Sequence, residues 1–141
     1  MTKRIVVIFL LLSIVVDAKI DMSQFKDSVK FGDQSVSIDK AEIIINKMPG
    51  IGSAKPSKYI VVTLKTSDGK KIKAPYKIVS LSFPGYTRRF TQKVTESRGD
   101  GCVVRELPEW AGKGILVALT IEDSSGKQTK IRSTTTVLKV H

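Results

Sequence analysis

Few residues in this chain can do versatile chemistry. It has one histidine, His141, which is the last residue, and one cysteine, Cys102. One of each cannot build a zinc constellation or a histidine-based triad, so neither a metal nor a cofactor is implied. Two carboxylate pairs sit close in sequence, Glu106/Glu109 and Glu122/Asp123. The second pair alternates along an extended segment, so its members point to opposite sides, and nothing around either pair suggests the raised pKa of a general acid. Gly50-Ile51-Gly52 lacks the lysine and helix of a phosphate loop. No catalytic activity is expected.

Charge is the more informative chemistry. The formal net charge is +11. Between Lys55 and Arg98 only Asp68 and Glu96 oppose a run of lysines and arginines. Lys65, Lys71 and Lys73 fall on one polar face if the flanking segments pair as a hairpin, and Arg89 and Lys93 alternate on another strand. Such faces attract polyanions through long-range field and counterion release, so acidic glycans and anionic headgroups are candidate ligands outside the cytoplasm. The plain alternative is a solvated, lysine-rich surface. Aromatic residues able to stack on bases are few, and sequence-specific nucleic-acid binding is not expected.

Arg98-Gly99-Asp100 is the tripeptide that integrins bind. The same residues, with Gly101, also make an ordinary turn. Cys102 reads as a small buried hydrophobe at a strand start, and its functional alternative is a disulfide-linked dimer. No internal disulfide can form from a single cysteine. Trp110 is expected to cover one end of the core. The single asparagine, Asn46, is not followed by a glycosylation signal.

The elements that hold these residues read as strands. Ile115, Val117, Leu119 and Ile121 alternate with Leu116, Ala118, Thr120 and Glu122, the period of two that marks a strand. Pairing Leu119 with Ile131 and Ile121 with Thr129 leaves Ser124-Ser125-Gly126 as a three-residue loop. The same arithmetic pairs Val62 with Ala74 and Leu64 with Ile72 around Ser67-Asp68-Gly69. Leu107-Pro108 separates Cys102–Leu107 from the Ile115 strand, because proline cannot donate to a ladder. Ser35–Ile38, Ala41–Met48, Tyr86–Thr95 and Ser133–Val140 read as further strands. Lys19–Gln34 fits either a short helix or an irregular lead-in strand. About 7–8 short strands with frequent turns predict an all-β sandwich.

Lys3 and Arg4 precede an apolar run from Ile5 to Val16, with Val16 and Ala18 at the cleavage positions. That is the form of a signal peptide over residues 1–18, and the run is too short to span a membrane. The expected organisation is a lead-in over 19–34 and one sandwich domain over 35–141, secreted or periplasmic.

Gly99-Asp100-Gly101, Val103, Leu107-Pro108, Gly112, Ile115, Val117, Leu119, Asp123, Gly126-Lys127 and then Thr134 to Val140 resemble the second half of an immunoglobulin-like domain of the macroglobulin or filamin type. The likeness covers about 40 of 141 residues, and Lys113-Gly114 departs from the aromatic usual after the corner glycine. It implies an antiparallel immunoglobulin-like sandwich that binds or spaces rather than catalyses, with a protein partner reached through an exposed edge strand.

Overall fold

Alternating β-branched residues give a segment one apolar side, and two such layers can bury each other. A computed structural model describes residues 24–46, 57–84 and 90–140 of this chain. The expected signal peptide over residues 1–18, the start of the lead-in, the expected loop over Pro49–Pro56 and Tyr86–Arg89 lie outside the described residues. The strands are β1 (Phe25–Lys26), β2 (Val29–Phe31), β3 (Gln34–Asn46), β4 (Ser57–Thr66), β5 (Tyr76–Ser82), β6 (Thr91–Lys93), β7 (Glu96–Ser97), β8 (Gly101–Arg105), β9 (Leu116–Asp123), β10 (Gln128–Thr134) and β11 (Thr136–Val140). Sheet one runs β1-β10-β9-β5-β6; sheet two runs β11-β3-β4-β8-β7, with β2 also paired to β3. Among the described residues the chain is nearly all β, in two sheets, and no helix is long and apolar enough to cross a membrane.

The inward rows meet in one core. Sheet one supplies Ile78, Leu81, Val117, Leu119, Ile121 and Ile131, and sheet two supplies Val36, Ile43, Ile60, Val62, Leu64, Cys102 and Val104. Phe83 is buried and packs edge-on to Trp110, ring centroids 5.8 Å apart. Trp110 therefore lies against the core, where its place after the Leu107-Pro108 corner puts it.

Several expectations hold. β9 and β10 pair Leu119 with Ile131 and Ile121 with Thr129. The Asp123 N–H donates to Lys127 C=O at 3.0 Å, and Gly126 takes φ 87° to close the loop. β8 stops at Arg105, before the proline corner.

The first hairpin does not form. β4 pairs with β3 on one side and β8 on the other, so no side is left for Lys70–Ala74. The chain still turns at Ser67–Gly69, with Gly69 at φ 73°, but then crosses to sheet one and begins β5. Ile72 and Ala74 keep their alternation because both pack against the core. The period of two reported which side faces inward, and not which strand lies alongside.

Other differences have similar causes. Ser35–Ile38 and Ala41–Asn46 belong to one 13-residue strand, joined through a bulge between Ile38 and Lys40. Within 24–34 the lead-in is strand, not helix. The sandwich is not wholly antiparallel, since β1 pairs parallel with β10 and β11 parallel with β3. β11 reaches sheet two by crossing over at Thr135 rather than by a hairpin, so its direction is set by the crossing. Buried Thr135 fixes that crossing: its hydroxyl donates to Gly112 C=O at 2.7 Å and accepts from Ile115 N–H at 3.1 Å. Among the described residues the strands already outnumber the expected 7–8, because β1, β2, β6 and β7 have only two or three residues each.

Candidate functional site

Strand direction gathers three connections at one end of the sandwich. β4 ends there at Thr66, β8 begins there at Gly101, and Tyr76 of β5 stands opposite Asp123 of β9. The crossing 67–75, the turn 98–100 and the turn 123–127 therefore meet at this end.

Two side chains hold the crossing in place of a partner strand. Gln34, 4% exposed, donates from Nε2 to Lys71 C=O at 2.8 Å and accepts at Oε1 from Lys73 N–H at 2.9 Å. One amide thus satisfies two backbone groups as a neighbouring strand would. Asp100 accepts from Ile72 N–H at 3.2 Å and from the Tyr76 hydroxyl at 2.9 Å. Its own C=O accepts from Leu64 N–H at 2.8 Å. Burial and this carboxylate together push the Tyr76 hydroxyl well above its ordinary pKa.

Asp100 is therefore turned inward. Arg98–Asp100 forms a turn, with Gly99 at φ 56° and Arg98 N–H donating to Gly101 C=O at 3.1 Å. An adhesive tripeptide must offer its carboxylate outward; here both oxygens are engaged within the domain.

The other acids at this end are also used locally. Hydrogen bonds from the Lys70 N–H and the Thr66 hydroxyl hold the Asp68 carboxyl below the usual carboxylate range. The Ser125 hydroxyl, with the N–H groups of Lys127 and Ser125, does the same for Asp123. The cations here, Lys70, Lys71, Lys73, Lys77, Arg98 and Lys127, are all exposed. Beside them opens a groove of about 530 Å³ lined by Tyr76, Lys77, Thr95, Ser97, Gly99 and Asp100, among others.

The expected polyanion residues are divided. Lys71 and Lys73 lie in the crossing at this end; exposed Lys65 stands on the outer side of β4 opposite Ser37. Lys93 is on the edge strand β6, opposite Ser80 of sheet one. Arg89 lies outside the described residues. The hairpin that would have put Lys65, Lys71 and Lys73 on one face is replaced by the crossing. Lys70, Lys77, Arg98 and Lys127 join Lys71 and Lys73 instead, through contacts that no local pattern announces.

Among the carboxylate pairs, Glu106 and Glu109 are exposed, Glu122 accepts from Gln128 Nε2 at 3.3 Å, and Asp123 caps its turn. Among the described residues no group of three or more His, Cys, Asp or Glu could hold a metal. Cys102 is fully buried, and burial pushes its thiol up to about 12. Lys58 ties the proline corner to β4, donating to Glu109 C=O at 2.7 Å and Ala111 C=O at 3.1 Å.

A second feature lies at the edge of sheet two. Among the described residues β11 ends that sheet, pairing only with β3. Val137 packs toward the core, whereas Leu138 is 42% exposed. Leu138 stands opposite Ile44, and Ile44 opposite Tyr59. The Arg105 guanidinium lies 5.4 Å from the Tyr59 ring centroid and bonds Glu96 at 2.9 and 3.0 Å. An apolar row thus runs outward from Tyr59 to the free edge. No family model, curated protein or solved structure matches the chain.

Proposed function

We propose that this is a secreted or periplasmic, non-catalytic sandwich of immunoglobulin-like type that binds an extended segment of a partner polypeptide along β11. The observation that carries the reading is the contrast among its edges. β1, β2, β6 and β7 have two or three residues each, which blunts them as templates. β11 has five residues and carries the exposed Leu138. A strand's free side offers a row of N–H and C=O groups, and an added strand satisfies them while side-chain pockets select its sequence. A segment seated there extends the Tyr59–Ile44–Leu138 row by one apolar position. The apolar run after Lys3 and Arg4 supports an address outside the cytoplasm. The turn-capping use of Asp68, Asp100 and Asp123 leaves these acids without the freedom that proton transfer requires.

The test is selection of extended peptides from a displayed random library against the folded protein, followed by hydrogen exchange of the complex. The expected result is peptides with alternating apolar residues that slow amide exchange in Thr136–Val140 and lose affinity at least tenfold with Leu138→Lys. Failure to obtain binders, protection confined to another strand, or a concentration-dependent dimer that occupies the same edge would refute it.

A further inference from the structure

The cationic end of the sandwich is separate from the β11 edge and does not depend on that reading. Lys70, Lys71, Lys73, Arg98 and Lys127 come from three connections that meet at Tyr76 and Asp100, and Lys77 stands at the start of β5 beside them. All six are exposed; Glu122 stands opposite Lys77 and Glu96 lies near Arg98, and three further carboxylates lie at this end, Asp68, Asp100 and Asp123. Those three keep their turns and the crossing closed. The cations face water, and Lys73, Arg98 and Lys127 help to lower the carboxyls of Asp68, Glu96 and Asp123. We propose that this end binds an acidic polysaccharide, with the six cations taking its sulfate or carboxylate groups and the neighbouring groove taking a sugar ring.

The ligand must be a polymer because the charge is spread over separate loops. Each exposed contact contributes little by itself, so useful affinity needs several engaged at once. The groove argues for a hydroxylated ligand. Thr95 and Ser97 present hydroxyls, and Asp100 has carboxylate lone pairs left after accepting from Ile72 and Tyr76. Lys77 lies on both the groove wall and the cationic set, which joins ring recognition to charge recognition. Nucleic acid fits less well. The Tyr76 ring stacks on Phe31 with centroids 6.1 Å apart and its hydroxyl is held by Asp100, so it is not free to stack on a base. Gln34 and Asp100 hold the backbone of the crossing, so the lysines are presented from a fixed frame.

The experiment compares two double variants of equal charge change on the folded protein. Lys71→Glu with Lys73→Glu alters this end; Lys40→Glu with Lys113→Glu alters exposed residues in the β3 bulge and after the proline corner. Affinity for heparin is measured by calorimetry in 150 mM salt and over a salt series, with melting temperatures confirming that each variant is folded. The expected result is binding that weakens at least tenfold with the first pair and less than twofold with the second. The slope of log affinity against log salt should be about three or steeper. A hydroxyl-free polysulfonate, duplex DNA and phosphatidylglycerol vesicles should bind at least tenfold more weakly per charge. Equal loss in both double variants would mean that only net charge matters and would overturn the proposal. So would no heparin binding in 150 mM salt, or equal binding of the polysulfonate, the DNA or the vesicles.

Discussion

Replacing Gln34 with alanine tests whether a single amide stands in for a strand. The substitution removes the bonds to Lys71 C=O and Lys73 N–H at 2.8 and 2.9 Å, each with a net worth of about 1 kcal/mol. It also leaves two partly sheltered backbone groups short of partners, which raises the loss to about 2–3 kcal/mol in total. Against a typical domain stability of about 5–15 kcal/mol, that is a large fraction. Urea unfolding of Gln34→Ala should show a midpoint lowered by this loss divided by the slope, with the slope itself unchanged. Native-state hydrogen exchange should show Lys73 N–H losing protection at least tenfold, while Leu119 and Ile131 exchange only as global stability dictates. Gln34→Glu separates the two bonds. It keeps an acceptor for Lys73 but loses the donor to Lys71 and sets a second carboxylate beside Asp68. Its stability should recover in part as pH falls toward about 4 and the new acid protonates. A loss under about 0.5 kcal/mol for Gln34→Ala, or unchanged exchange at Lys73, would refute the idea that the amide holds the crossing.

Gly101→Ala should destabilise by about 3 kcal/mol or prevent folding, because its Cβ would lie 2.1 Å from Val62 C=O across the β4–β8 pair; chemical denaturation measures it. Cys102 should react with a disulfide reagent only as fast as the domain unfolds, since it is buried and its thiol is pushed up to about 12; labelling in native buffer on the timescale of free cysteine would contradict this. Asp123 is held below the usual range by the Ser125 hydroxyl first, so its contribution is present above the unfolded pKa and is lost as pH falls through the folded one. Asp123→Asn should therefore lower the melting temperature at pH 7 and flatten its decline on acidification below about pH 4. Leu119→Ala removes a fully buried side chain from the middle of sheet one and should cost about 2–5 kcal/mol by urea unfolding.

How much of this was legible depends on sequence distance. The β9–β10 hairpin could be read residue by residue because its strands are adjacent and Asp123 and Gly126 settle the loop locally. The stretch from Tyr59 to Ala74 carries the same alternation and a similar turn, yet β4 takes β3 and β8 as neighbours. Alternation encodes burial, and burial is compatible with many partners. Asp39-Lys40 looked like the end of a strand because two polar residues interrupt the period, whereas a bulge absorbs them. Gln34 sat in a polar lead-in with no periodicity to mark it, and its partners lie 37 and 39 residues away. Asp100 drew attention as part of a tripeptide, but its work lies inward, 28 residues back at Ile72. The cationic end could be counted in the sequence but not assembled, since its members belong to three connections and the start of β5, which only the finished sheets bring together.

The pairing of β11 with β3 also bears on how the chain is made. Ile43, Ile44 and Ile45 stand opposite Val137, Leu138 and Lys139, on the last of the described strands to leave the ribosome. Until that strand emerges, one flank of the isoleucine run has no neighbour, although β4 is already available for the other. A chain released before Thr136 would carry a long, aliphatic, hydrogen-bond-hungry border, the form of surface that joins one molecule to the next. Premature termination in this protein should therefore yield aggregates rather than a slightly smaller soluble domain.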